Sequence, residues 1–294
     1  MLEVDAKEYP FESKSLEIEG GYKLAYVDEG SSEEGHPCLL MVHGNPTWSF
    51  YYRNIIKAFS GTMRCVAIDH LGCGYSDKPE DFEYTLENRV KHLTELVKHL
   101  GLKNIHLMMH DWGGAIGMGY ATRHPESIKS LTILNTAAFF SKRIPFRIQI
   151  CKTPILGTFI NRGLNGFAMA ALAMATSKYS RLPFHIAQGY LHPYYNWKSR
   201  VAIDAFVKDI PTSPESPSWQ TLQEIESKLD LFKDIPKIIF WGGRDFCFND
   251  SFYKRWLEIY PDLEKHYFTD GNHYILEDKG DEIIESLKVF YEKE

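Results

Sequence analysis

The run Met109-His110-Asp111-Trp112-Gly113-Gly114 joins an apolar stretch at 105–109, which reads as a buried strand, to a helical stretch at 114–123. A strand-to-helix turn this tight admits only small residues beside its centre and pushes the central side chain clear of the sheet. That place suits a nucleophile, most often serine; here it holds a carboxylate. The one other candidate, Gly74-Tyr75-Ser76-Asp77-Lys78, lacks the second glycine and follows a different strand, which disfavours serine chemistry. A carboxylate nucleophile suits a saturated carbon, where it displaces a leaving group and forms an alkyl ester. Taken alone, Asp111 would also serve as a helix cap. Met109 departs from the pattern, being larger than the residue usual two places before the nucleophile.

An ester on Asp111 needs a base only if water is to cleave it. His273, in Gly271-Asn272-His273-Tyr274 after the last predicted strand, stands where a histidine base is expected, in the chain order nucleophile, acid, histidine. The acid to orient it is Asp245, in Gly242-Gly243-Arg244-Asp245. The end of the preceding strand is the alternative location, but there the chain has the uncharged Asn135. Asp270, Glu277 and Asp278 read as surface or helix-flanking charges, with Asp270 the fallback acid. Most of the 12 histidines need no role: His110 reads as a packing residue and His43 as one that orders its loop. In His43-Gly44-Asn45-Pro46, after the first buried strand, Asn45 offers a backbone N–H, as does Trp112 after the nucleophile. Both also carry side-chain N–H donors, fit to stabilise a departing anion such as a halide or a carboxylate. The Gly-rich run Asp69 to Ser76 has neither a Lys-Ser/Thr pair nor GxGxxG, and reads as a structural turn.

Strand-like runs at 16–18, 23–27, 38–43, 64–68, 105–109, 130–134, 237–241 and 264–268, most of them apolar, predict strands, with helices at 50–59, 86–100, 114–123, 250–259 and 281–291. Short continuous apolar strands alternating with helices imply a mostly parallel sheet covered on both faces. The alternation lapses from 140 to 213, which is rich in aromatic and basic residues and reads as helices and turns. The expected organisation is an eight-stranded α/β-hydrolase fold: a core at 1–139 and 214–294, with a helical cap inserted at 140–213.

The 294 residues carry 33 Lys and Arg against 39 Asp and Glu, a net charge of −6. That balance argues against nucleic acid as a partner and against attraction to an anionic bilayer. Five cysteines, odd in number and widely spread, suggest no disulfide framework or zinc site, and no metal or cofactor is expected. The start of the chain does not read as a signal peptide, and the most apolar run, 166–176, is too short to span a bilayer, so the expected setting is cytoplasmic.

His43-Gly-Asn-Pro-Thr-Trp48, Asp69-His-Leu-Gly-Cys-Gly-Tyr-Ser-Asp-Lys-Pro79 and His110-Asp-Trp-Gly-Gly114 resemble the haloalkane dehalogenases, over nearly the whole chain. Leu134-Asn-Thr-Ala-Ala-Phe139, Phe206-Val-Lys-Asp-Ile-Pro211, Arg244-Asp-Phe-Cys-Phe-Asn249 and Gly271-Asn-His-Tyr-Ile-Leu-Glu-Asp278 narrow the likeness to the third dehalogenase subfamily. That subfamily also holds the β-lactone decarboxylases of bacterial olefin biosynthesis. The resemblance implies Asp111 as nucleophile, His273 as base, Asp245 as acid, and Asn45 and Trp112 as leaving-group stabilisers. It implies a small apolar substrate, either a cis-3,4-dialkyl β-lactone or a haloalkane, and association with other olefin-pathway enzymes. The cap likeness and the apolar segment 166–175 favour the lactone. An epoxide hydrolase would draw two acids from Tyr179, Tyr190, Tyr194 and Tyr195; a ligand receptor on the same fold would not need an intact triad.

Overall fold

The computed structural model describes residues 4–33, 36–141, 144–177 and 182–293. A hairpin of β1 (Lys14–Ile18) and β2 (Tyr22–Glu29) opens the chain. It is followed by β3 (Cys38–Val42), β4 (Arg64–Ile68), β5 (Ile105–Asp111), β6 (Ile128–Thr136), β7 (Lys237–Gly242) and β8 (Glu264–Phe268). They form one sheet in the order β1-β2-β4-β3-β5-β6-β7-β8. The pairs β1/β2 and β2/β4 are antiparallel and the rest parallel. Every residue of β3 and β5 is buried, as continuous apolar runs demand of strands covered on both faces. The two-residue period of a strand splits them between two cores. Leu40 and Val42 pack with Leu93, Ile116 and Trp256 on one face, and Leu39 and Met41 with Tyr51, Ile56 and Phe290 on the other. β8 lies at the edge, and its side chains are exposed or half-buried.

The helix Leu86–Leu100 shows how locally the covering elements are written. The Thr85 side chain accepts from the Asn88 N–H at its start, Glu87 lies in the first turn, and Lys98 and His99 lie in the last. Gly101, at φ +61°, ends it. Differences from expectation are small. The stretch 50–59 is a 3-10 turn, Ser49–Tyr52, followed by the helix Arg53–Phe59. β5 runs on to Asp111 itself. Between β6 and β7 the described residues form no strand; the helices Phe146–Lys152, Pro154–Thr158, Gly166–Met174, Phe184–Leu191 and Val201–Asp209 follow one another, with a π-helical turn at Phe159–Gly163. One further helix, Trp219–Glu226, packs on Gly113–Ala121. The five cysteines are free; three are buried, but Cys151 and Cys247 line the cavity described below.

Candidate active site

Asn45 follows β3, Asp111 ends β5, Asp245 follows β7 and His273 follows β8. All four thus sit at the carboxyl ends of parallel strands, where an open α/β sheet leaves a crevice for ligands. Asp111 adopts φ +53°, a left-handed conformation that aspartate tolerates better than most residues and that turns its carboxylate out of the sheet. Two glycines leave it room. A Cβ on Gly44 would lie 2.0 Å from Asp111 Oδ1, and one on Gly113 would lie 1.9 Å from the Val42 carbonyl oxygen. The large Met109 is accommodated by a third: a Cβ on Gly117 would crowd its Cγ and Sδ at 2.9 Å.

The backbone N–H of Asn45 donates to Asp111 Oδ1 at 2.6 Å, and the Trp112 N–H also donates to this carboxylate. Asp111 Oδ2 faces His273 Nε2 at 3.6 Å, beyond hydrogen-bond distance and close enough for an ion pair when the imidazole is protonated. On its other side His273 Nδ1 donates to Asp245 Oδ2 at 2.7 Å. Burial pushes the Asp111 carboxyl above its ordinary value, against the opposing pull of His273 and the two N–H donors. Burial pulls the His273 imidazole down, but Asp245 and then Asp111 outweigh it, and the net shift is upward. Asp245 is well supported. The Cys247 and Phe248 N–H groups donate to Oδ1 at 2.7 and 3.0 Å, and the Asn135 amide donates to Oδ2 at 3.0 Å.

The structure thus brings Asp111, His273, Asp245, Asn45 and Trp112 together. The Asn45 side chain is partly committed, since its amide N–H donates to the Ile203 carbonyl oxygen at 3.1 Å. That bond fixes the amide's orientation and leaves one N–H free to serve an anion. Trp112 lines the cavity beside Asp111. Asp270 is drawn to Lys279 at 2.9 Å, away from His273. Glu277 and Asp278, read as surface or helix-flanking charges, close the short helix Ile275–Asp278, where they are half-buried and have partners inside the protein. Glu277 holds the buried Arg53 in a paired contact and accepts from Tyr190. Asp278 accepts from the N–H groups of Asn272 and Ser177, tying down the histidine loop.

Three supporting residues escape a reading of residue types. Asn135, at φ +32°, accepts from Gly242 N–H at 2.8 Å and donates to Gly242 carbonyl and to Asp245, linking β6 to the loop that carries Asp245. Its one legible signal is a polar residue closing an apolar strand. Asn135→Ala removes these bonds inside the core. It is expected to destabilise the fold by about 1–3 kcal/mol in urea unfolding. His110 does more than pack: it stacks on Tyr51 and its Nε2–H donates to the His273 carbonyl at 2.9 Å, while burial keeps it neutral. Asn272 donates to the carbonyls of Met174 and Thr176, hooking the histidine loop to the helical segment. His43, held down to a pKa of about 4 by burial, donates from Nδ1 to Gly44 carbonyl and accepts from His70 N–H, so it orders the Asn45 loop. Asp69 accepts from Ser49 and Tyr75 N–H, as a structural turn requires.

Above Asp111 lies a cavity of about 480 Å³. Its walls are overwhelmingly apolar, with Phe167, Ala171 and Met174 from the apolar run, and with Ile148, Leu222 and Phe248. No tyrosine lines it among the described residues. Tyr190 bonds to Glu277, Tyr194 donates to Thr47 carbonyl, and Tyr195 is exposed. Tyr179 lies outside the described residues. The two acids an epoxide hydrolase needs are therefore not supplied by the three described.

This is an enzyme site of the α/β-hydrolase fold, and residues 37–149 match the family of that description. The chain is 44% identical to a cis-3-alkyl-4-alkyloxetan-2-one decarboxylase of Shewanella oneidensis, covering 96% of this chain and 88% of that protein. It is 38% identical to a protein of the same name from Xanthomonas campestris pv. campestris, with 97% of each covered. Haloalkane dehalogenase 2 of Mycobacterium bovis is 30% identical, with 96% of each covered. Among solved structures, the haloalkane dehalogenase DatA of Agrobacterium tumefaciens C58 superposes with a TM-score of 0.83 at 25% identity, covering 96% of each chain. The chain belongs to the α/β-hydrolase-fold family that unites the haloalkane dehalogenases with the β-lactone decarboxylases.

Proposed function

We propose that the chain decarboxylates cis-3,4-dialkyl β-lactones to alkenes. The observation that carries this reading is the higher identity to the two oxetanone decarboxylases than to the dehalogenase, over the same share of the chain. Asp111 is the nucleophile, Asp245 and His273 complete the triad, Asn45 and Trp112 receive the leaving anion, and residues 140–213 form the cap over a core at 1–139 and 214–294. Asp111 Oδ2 attacks the ring carbon that bears the ring oxygen, and that carbon–oxygen bond breaks. The freed carboxylate stays on the neighbouring carbon, beside the Asn45 and Trp112 donors. Its carbon–carbon bond then breaks and carbon dioxide leaves. The electron pair forms the double bond and expels Asp111 as a carboxylate. Nothing else is consumed. Attack with inversion sets the ester and the carboxylate antiperiplanar without rotation, so a cis lactone gives a cis alkene. The cavity lies within the range of small-ligand sites and has almost no polar wall, which suits two alkyl arms.

Dehalogenation is the second reading. It is favoured by His273, oriented and charge-supported by Asp245 for a hydrolytic step that decarboxylation does not use. Purified protein incubated with a 1-bromoalkane and, separately, with a cis-disubstituted β-lactone separates the two. The first reading expects cis alkene without bromide. Bromide without alkene rejects it in favour of the second.

A further inference from the structure

The net charge of −6 hides a sharp division. Residues 140–213 hold ten Lys and Arg, four of them (Lys142, Arg143, Lys178 and Arg181) outside the described residues, and only two acids, Asp204 and Asp209, a charge of +8 in sequence that leaves −14 for the rest. Both acids are turned inward: Asp204 pairs with Lys208 and Asp209 with Arg89. This segment therefore presents no exposed carboxylate side chain of its own. It also carries most of the molecule's exposed large apolar residues. Ile155 is 87% exposed, Phe146 74% and Leu164 61%, with Leu156, Phe159 and Met169 each more than half exposed. They lie on consecutive elements packed on one another: the helices Phe146–Lys152, Pro154–Thr158 and Gly166–Met174, with the π-helical turn Phe159–Gly163 between them. A water-facing surface has no use for such a cluster, and a cationic apolar surface is what an anionic bilayer attracts.

The same helices wall the substrate cavity. On Phe146–Lys152, Ile148 and Cys151 line it while Phe146 faces outward; on Gly166–Met174, Ala170 and Met174 line it while Met169 faces outward. We propose that the exposed apolar face of this net-cationic helical segment docks on an anionic phospholipid bilayer and takes its apolar substrate from there. Docking would be peripheral, since no helix among the described residues is long and apolar enough to cross a membrane. The docking rests on charge and exposure alone; only the passage of substrate rests on the function proposed above.

Flotation with phosphatidylglycerol and with phosphatidylcholine vesicles, in the absence of any substrate, tests the docking separately from the chemistry. The expected result is binding to phosphatidylglycerol that weakens as salt rises and is much weaker for phosphatidylcholine. The double variant Ile155→Ser with Leu156→Ser changes two exposed residues outside the cavity lining. It should bind on the order of a hundredfold more weakly, about tenfold for each side chain. It should keep full turnover of a short-chain, water-soluble β-lactone. Equal binding to both lipids, no binding to either, or unchanged binding by the variant overturns the proposal. So does a dimer in solution that the double variant dissolves, which would make this face a contact between two copies of the chain.

Discussion

Asp111→Ala is expected to reduce alkene formation from a cis β-lactone by a factor on the order of 10⁴–10⁶, the scale seen when a covalent nucleophile is removed. Single-turnover assay of alkene by gas chromatography reads this directly, with circular dichroism confirming that the sheet is intact. The size of the effect follows from the geometry. Asp111 alone reaches the floor of the apolar cavity with a free carboxylate oxygen, and its other oxygen is already held by the Asn45 N–H at 2.6 Å. Full activity in Asp111→Ala would end the covalent mechanism for both substrates.

His273→Gln is expected to divide the two chemistries. With a bromoalkane, displacement needs only Asp111, but the ester then waits for a base; bromide should stop at one equivalent per enzyme, and mass spectrometry should find the alkyl adduct on Asp111. With the lactone, the ester collapses by losing carbon dioxide, so alkene should continue over many turnovers. Dependence on pH gives a second view of the same contrast. Only neutral imidazole can act as a base, and Asp245 and Asp111 raise His273 against the downward pull of burial. Bromide turnover by the unmodified enzyme should therefore rise with pH as the His273 imidazole loses its proton, at a lower pH than in the free enzyme because esterified Asp111 no longer carries charge. Alkene formation should lack that limb. The sign for stability is opposite: a raised histidine contributes most below its unfolded value and loses that contribution as pH rises through the folded one. An alkene assay that stalls after one turnover in His273→Gln would mean that the lactone route also needs the base.

Much of this was legible before any coordinates. β3 to β7 announce themselves because a strand buried on both faces must be a continuous apolar run, and the elbow because glycine spacing around Asp111 has few other uses. What escaped depends on tertiary approach. Asn135 supports Asp245 only because its backbone enters the left-handed region beside Gly242, which no spacing reveals. Glu277 reads as a surface or helix-flanking charge in sequence, yet Arg53, more than 200 residues earlier, folds over to meet it inside the protein. The 140–213 segment shows its bias in composition, but the net charge of the chain conceals it until the elements are seen to lie together.

The edge strand β8 carries a consequence for how the protein fails. It is held by β7 alone, its side chains are largely in solvent, and His273 hangs from its end. Asp111, by contrast, ends a strand at the middle of the sheet. Edges open at lower free energy than centres. Gentle heating or mild denaturant should thus separate His273 from Asp111 and Asp245 while the central strands still protect their amides from hydrogen exchange. The enzyme would lose its working geometry first and its fold second.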